Sequence, residues 1–315
     1  MKKKRRKKAL PLALAEYWSA YIFILIAGIL PMSIAKGISG LLGDLLYFIS
    51  SKRRRIAMEN LRHAFRNDKD EEEIKSIART SCRSFIFTFL EMIKLRHVFS
   101  RPDAMERLRV TTDNLDTLFK KAKKIHDQSG GCIFVTPHIG NWEVLPHASA
   151  KAGIPLAIVV RPLDNEYLEK LIYAKRTSSG QMIIPKRNAL MVLQKTLQSG
   201  TSVGILPDQS TAKGISIDFF GRKATATPVP AMLAITYNRP IVVVAACRKN
   251  EDYRYEGFVS DPIWPGEYSS EKDEIFRITE EMTREMESII RRYPEQYLWI
   301  HNRWKTYKDR KAVMS

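Results

Sequence analysis

Apolar positions along the chain fall into three zones with different periods. Residues 17–35 carry no charged side chain, about the length needed to cross a hydrocarbon core of roughly 30 Å. Tyr17, Trp18 and Tyr21 stand at its start, where aromatic rings suit a membrane interface. Apolar character continues weakly through Leu41, Leu42, Leu45, Leu46, Tyr47, Phe48 and Ile49. Residues 52–99 read as helix. Ile56, Leu61, Ala64 and Phe65 have helical spacing, and an acidic start at 68–73 precedes a second stripe. That stripe holds Ile74, Ile77, Ala78, Cys82, Phe85, Ile86, Phe89, Leu90 and Ile93. A period near 3.6 predicts a face packed into the core; the bolder alternative is a wall of an acyl-chain channel.

Beyond residue 110 the pattern changes again. Residues 110–124 predict a short strand and a helix. Short apolar runs then recur at 132–136, 155–160, 182–185, 202–206 and 241–247. Helical stretches at 142–152, 165–178, 189–198 and 231–237 separate or follow them, and an amphipathic helix closes the series at 271–292. Strands alternating with helices predict an α/β fold, with a central mostly parallel or mixed sheet flanked by helices. The simplest division is a basic N-terminus and membrane anchor over residues 1–50 and one catalytic domain over 51–315.

Charge sharpens the anchor. The formal net charge of the 315 residues is +18, of which residues 2–8 carry seven and residues 52–55 carry four, leaving seven elsewhere. A nucleic-acid binder spreads its basic residues over the fold or threads them with aromatics. Here two basic clusters bracket an apolar segment, which points to an anionic membrane surface and away from nucleic acid. Basic clusters at both ends cannot both stay on the cytoplasmic side of a single span. A hairpin bent near Pro31, with Gly37, Gly40 and Gly43 packing its second limb, satisfies the rule, and so does an in-plane anchor. A cleaved signal peptide fits less well, because no small-x-small site precedes a polar mature start.

The candidate chemistry lies at Thr136-Pro137-His138-Ile139-Gly140-Asn141-Trp142-Glu143. A strand ending in a histidine, then a Gly-Asn break and a carboxylate on the following helix, lets imidazole and carboxylate converge. Such a pair removes a proton from a hydroxyl, the carboxylate fixing the tautomer and stabilising the imidazolium. His138 is therefore the candidate general base and Glu143 its partner. Backbone N–H groups around residues 139–142 are candidate oxyanion donors; Asn141 either donates from its side chain or caps the helix. No Gly-x-Ser-x-Gly elbow is present, and Cys82, Cys132 and Cys247 form neither a metal spacing nor a disulfide framework. No metal cluster and no glycine-rich phosphate loop stands out, so no cofactor is implied.

The His138-x4-Glu143 pair resembles the His-x4-acid motif of glycerolipid and lipid A acyltransferases. Gly204 to Gln209, then Asp218-Phe219-Phe220-Gly221 and Ala224-Thr225-Ala226-Thr227, resemble the middle of the late lipid A acyltransferases. Arg161-Pro162, with Arg176 in the next helix, is similar to their second block. Residues 293–305, with Trp299, His301, Arg303 and Trp304, resemble their C-terminal signature. The resemblance spans nearly the whole chain.

It implies a bacterial inner-membrane O-acyltransferase with its catalytic domain facing the cytoplasm. The donor would be acyl carrier protein or acyl-CoA, and the acceptor a hydroxyl of a lipid A precursor. A lysophospholipid or another glycolipid is the alternative acceptor. Arg161 and Arg176 are candidate phosphate grips, their plainer alternative being ion pairs with Asp164, Glu166 or Glu169; the resemblance favours Arg176. Asp208, in a turn after an apolar run, would position Arg176 or the acceptor hydroxyl, or else cap its own backbone. Arg303 and Trp304 would close the site or touch the membrane. His301 has no partner visible in the sequence, and a structural role is expected. The residual basic excess offers a docking face for an acidic carrier protein.

Overall fold

The computed structural model describes residues 9–66, 68–99, 101–160, 163–177, 182–185, 189–249 and 254–305, with the backbone alone at 96–98, 172–177, 185 and 189. The uncharged stretch at 17–35 is not one helix. Helix α1 (Leu10–Ile29) stops before Pro31, and α2 (Met32–Ile49) starts after it. Leu30 takes an extended backbone, φ −60° and ψ 139°, as the bulk of a following proline ring requires. Both helices are long and apolar enough to cross a membrane by length and composition. Much of their surface stays uncovered: Ile22, Leu25 and Ile29 of α1, and Leu41, Leu45 and Ile49 of α2, are exposed.

Helix α3 (Ser51–Ala64) leads into the long α4 (Glu71–Phe99). Asp70 opens α4 with a reciprocal cap. Its carboxylate accepts the N–H groups of Glu72 and Glu73, both at 2.9 Å, and Glu73 accepts the Asp70 N–H at 3.0 Å. Helix α2 lies close on α4: Gly43 abuts the Arg83 backbone, where a Cβ would approach Arg83 Cα to 2.4 Å. Asp44 beside it accepts forks from both Arg79 and Arg83 at 2.6–2.7 Å. The stripe on α4 is core: Ile74, Ala78, Cys82 and Leu90 are buried, whereas Phe89 is 42% exposed. The cavity described below is lined by other elements.

After α5 (Ala104–Thr111), β1 (Thr112–Asp113) and α6 (Leu115–Ser129), the chain alternates in α/β fashion. The succession is β2 (Ile133–Val135), α7 (Leu145–Lys151), β3 (Leu156–Val160), α8 (Glu166–Thr177), β4 (Met182–Pro185), α9 (Ala189–Gln198) and β5 (Ser202–Ile205). A hairpin of β6 (Ile215–Phe219) and β7 (Arg222–Ala226) follows, then α10 (Val229–Tyr237), β8 (Ile241–Arg248), β9 (Tyr255–Val259) and α11 (Glu271–Arg292). Among the described residues seven strands form one sheet in the order β1-β9-β8-β2-β5-β3-β4, parallel throughout except between β8 and β9. Strand β2 is central and buried on both faces, as a strand covered by helices on each side must be. Helix α5, strand β9 and the β6–β7 hairpin were not anticipated from the sequence. The hairpin's two-residue turn places Phe220 at φ 55° and Gly221 at φ 72°, the left-handed pair that matches strand twist.

Candidate active site

The parallel register assembles the site. Val135 at the end of β2 pairs with Ile205 at the end of β5. His138 and Asp208 each stand three residues beyond these paired ends, so they meet above the sheet's carboxyl edge, where open α/β sheets place functional groups. His138 Nδ1–H donates to Asp208 Oδ1 at 2.6 Å, and the His138 backbone N–H donates to Asp208 Oδ2 at 2.8 Å. The carboxylate that orients the imidazole is therefore Asp208. Glu143 was expected at that position; it sits in the turn ahead of α7, and the helix begins at Leu145 rather than at 142. Its charge still acts on the imidazole, less strongly than that of Asp208.

The C-terminal signature packs behind the dyad. The Leu298 N–H donates to the His138 carbonyl at 3.0 Å, and Ile139 bridges to Tyr297. Tyr297 is buried, and burial, with the Asp208 charge adding to it, pushes its hydroxyl well above the usual tyrosine range. With Nδ1, N–H and carbonyl all engaged, Nε2 is the remaining polar atom of His138, and it meets the exposed Gln209 amide, Nε2 to Nε2 3.5 Å. Burial disfavours the imidazolium, but the charges of Asp208 and then Glu143 outweigh it, and His138 titrates above the ordinary histidine value. Burial likewise disfavours the Asp208 carboxylate, but His138 and Arg303 outweigh it and hold Asp208 below the usual range.

Other candidates fall elsewhere. Asn141 is fully buried, and its amide donates to Glu91 Oε2 at 3.0 Å and to the Tyr255 hydroxyl at 3.2 Å. It is neither the cap of α7, whose N-cap is Val144 with no side-chain cap bond, nor a donor to the dyad. Of the expected oxyanion donors, Ile139, Gly140 and Asn141 spend their N–H groups on Pro137, Gln296 and Ala246 carbonyls. Arg303 is buried rather than at the surface. It is 2% exposed, donates to the Thr225 carbonyl at 2.5 Å and lies over the Phe219 ring at 4.9 Å. Arg161 and the neighbouring Pro162, Lys186 and Arg187 lie outside the described residues, as does the Arg176 side chain, whose backbone is in α8. His301 has a structural contact: its Nε2 accepts the Ser210 N–H at 3.1 Å, pinning the turn after Asp208. Cys132 is fully buried, and burial pushes its thiol up to about 12, which excludes it as a thiolate nucleophile. Among the described residues, no group of three His, Cys, Asp or Glu side chains is placed to hold a metal ion.

Beside the dyad lies an apolar cavity of about 140 Å³ between the sheet and helices α6 and α7. Phe119, Phe134, Trp142, Leu145, Ile158 and Val244 are among its walls. Trp142 joins it to the dyad, its ring standing 5.3 Å from that of His138. Gly204 on β5 and Gly257 on β9 also line it, so the sheet face presents no side chain at two points.

The site is thus an imidazole paired with a buried carboxylate beside an apolar cavity, at the carboxyl edge of an α/β sheet. The chain belongs to the bacterial lipid A biosynthesis acyltransferase family, whose model matches residues 2–306. It is 28% identical over 258 residues to a lipid A biosynthesis palmitoleoyltransferase of Escherichia coli (strain K12), covering 81% of this chain and 79% of that protein. A lipid A biosynthesis lauroyltransferase of the same organism is 23% identical over 299 residues, covering 92% of each. A phosphatidylinositol mannoside acyltransferase of Mycolicibacterium smegmatis is 22% identical over 183 residues, covering 56% of this chain and 58% of that protein. The protein is an O-acyltransferase of lipid A or a related lipid.

Proposed function

We propose that this protein transfers a fatty acyl group from an acyl-carrier-protein thioester to a hydroxyl of a lipid A precursor at the bacterial inner membrane, with acyl-CoA as the alternative donor. The carrying observation is the state of His138: Nδ1–H held by Asp208 at 2.6 Å, Nε2 left for substrate, and an apolar cavity adjoining. Nε2 takes the acceptor's proton while the acceptor oxygen forms a bond to the thioester carbonyl carbon. The tetrahedral oxyanion collapses, the C–S bond breaks, and the imidazolium returns its proton to the departing sulfur. An ester and a thiol result, and no acyl-enzyme is formed. Asp208 stabilises the imidazolium, and the negative charge of Glu143 adds to that effect.

The cavity takes the acyl chain. Arg161 and Arg176 grip phosphate on the acceptor or on the donor's pantetheine arm. The exposed apolar faces of α1 and α2 enter the lipid, residues 1–50 act as the anchor, and residues 51–315 face the cytoplasm as the catalytic domain. A glycolipid acceptor other than lipid A is the second reading, favoured by the mannoside-acylating relative.

Purified protein in vesicles, offered carrier-bound or CoA-bound acyl donor, separates these readings when given a lipid A precursor, a lysophospholipid or a mannosylated lipid. His138→Ala should slow transfer about 10² to 10⁴-fold, the usual worth of a general base. Near-normal transfer by that variant removes the base assignment, and transfer to the lysophospholipid alone removes the acceptor.

A further inference from the structure

A buried ion pair lies directly beneath the turn that carries His138, and neither the dyad nor the cavity accounts for it. Glu91, on α4, and Arg248, at the end of β8, have side chains only 2% and 11% exposed. Arg248 Nε donates to Glu91 Oε2 at 2.9 Å, and Nη2 also pairs with that carboxylate. The Tyr255 hydroxyl donates to Glu91 Oε1 at 2.6 Å, and the Asn141 amide donates to Oε2 at 3.0 Å. Arg248 further donates to Ser84 Oγ at 3.1 Å and to Thr88 Oγ1 at 2.8 Å, and Thr88 donates to the Gly140 carbonyl at 2.8 Å. Gln296 completes the ring, accepting the Arg248 N–H at 2.8 Å through its side chain and the Gly140 N–H at 3.3 Å through its carbonyl.

We infer that Glu91 is a positioning residue for the acyl-transfer reaction: paired with Arg248, it clamps Gly140 and Asn141 and so sets the aim of His138 Nε2. The inference rests on the reading of His138 as the base. Two features of the turn meet this clamp, the Gly140 carbonyl and the Asn141 side chain, immediately after the dyad histidine. The turn has no room to settle elsewhere. Gly140 has φ +56°, and a Cβ there would lie 2.2 Å from the Ala246 carbonyl oxygen. A buried ion pair is seldom the most stable way to fill such a space, since well-packed apolar side chains of similar volume often do as well or better. What the charges supply in addition is direction: one carboxylate gathers donors from α4's neighbours β8 and β9 and from the turn itself. Displacing a reacting group by about 1 Å can cost about 10²-fold in rate.

The test compares Glu91→Gln, the Glu91→Met/Arg248→Met pair and Thr88→Val with the wild type and with His138→Ala. The readouts are kcat, KM, thermal unfolding and hydrogen exchange at the Asn141 and Val144 amides. The double variant should remain folded, with kcat down about 10 to 100-fold, KM unchanged and faster exchange at those amides. Glu91→Gln should lie between it and the wild type. A folded double variant with wild-type kcat overturns the proposal, and so does a loss of rate that only follows the loss of folded protein. If both Glu91 variants fail to fold, Thr88→Val decides by the same measures, because it deletes the Gly140 contact and one Arg248 contact while leaving the charges of Glu91 and Arg248 in place. Activity in His138→Ala would sink the base reading, whatever Glu91 does.

Discussion

Replacing Asp208 by Asn separates the two carboxylates near His138. Asp208 accepts two hydrogen bonds from that residue, from Nδ1 at 2.6 Å and from the backbone N–H at 2.8 Å. Asparagine has the same outline but one acceptor oxygen, so its NH2 must face one of these donors. Leaving a buried donor unpaired costs about 1–3 kcal/mol, and a bond to a charged group is worth about 1.5–3 kcal/mol. Together these give about 3–5 kcal/mol, part of which is felt only as the imidazolium forms. At about 1.36 kcal/mol per decade, a kcat loss of about 10² to 10³-fold follows.

The pH profile carries a second signature. As the proposed base, His138 acts in its neutral form, so kcat/KM should rise with pH as it loses its proton. Asp208, then Glu143, hold that titration above the ordinary 6.5 against the effect of burial. In Asp208→Asn the acid limb should move to lower pH; in Glu143→Gln it should move the same way by less, with most of kcat kept. Stability follows with defined signs. The raised His138 contributes stability below 6.5 that is lost as pH rises through its folded value. The lowered Asp208 contributes stability above 3.8 that is lost as pH falls through its folded value. Asp208→Asn removes both terms. Initial rates of acyl transfer across about pH 5 to 8, with thermal unfolding at each pH, measure all of this. An unmoved limb and near-normal kcat in Asp208→Asn, or a larger effect in Glu143→Gln, would refute the assignment of Asp208.

Three further outcomes are expected. Gly140→Ala should lose most activity and unfold at lower temperature, because its Cβ meets the Ala246 carbonyl at 2.2 Å; calorimetry and kcat check it. Gly204→Val should shift the preferred donor toward shorter acyl chains, since even a Cβ there lies 3.1 Å from Ile158 Cγ2 at the cavity wall; competition between donors of different length reads this. Changing exposed Ile22, Leu25 and Ile29 to Ser should weaken co-sedimentation with anionic vesicles while leaving the far-ultraviolet dichroism intact, because these side chains are exposed and contribute little to the core.

The parts of this fold that were legible in the sequence are those whose signal is local. Strand β4 and helices α9 and α11 fall at the bounds their apolar periods predict, 182–185, 189–198 and 271–292. The elements missed are those whose signal is weak or split. Strand β9 is half-buried along its whole length, so no alternation marks it. The β6–β7 hairpin turns on Phe220 and Gly221, and a phenylalanine in the left-handed region is not a turn residue one would choose. His138 was visible because a histidine ended an apolar run. Its partner was not, because the nearest carboxylate in sequence is Glu143, whereas the bonded one is Asp208, 70 residues away.

Proximity along the chain counts only where the intervening backbone is regular, and here Gly140 turns it away from the helix that was expected to carry Glu143. Parallel pairing does the opposite: Val135 against Ile205 brings equal distances past two strand ends to one place. Once a parallel sheet is predicted, an acid the same number of residues beyond a neighbouring strand is the stronger candidate, and Asp208 meets that condition. Glu91 and Arg248 were readable by a similar rule. Each is a charge at the edge of an apolar series, Glu91 after Leu90 and Arg248 after Cys247. A charge that burial should exclude implies an opposite charge facing it, and in this molecule that pair is tied to the turn that follows His138.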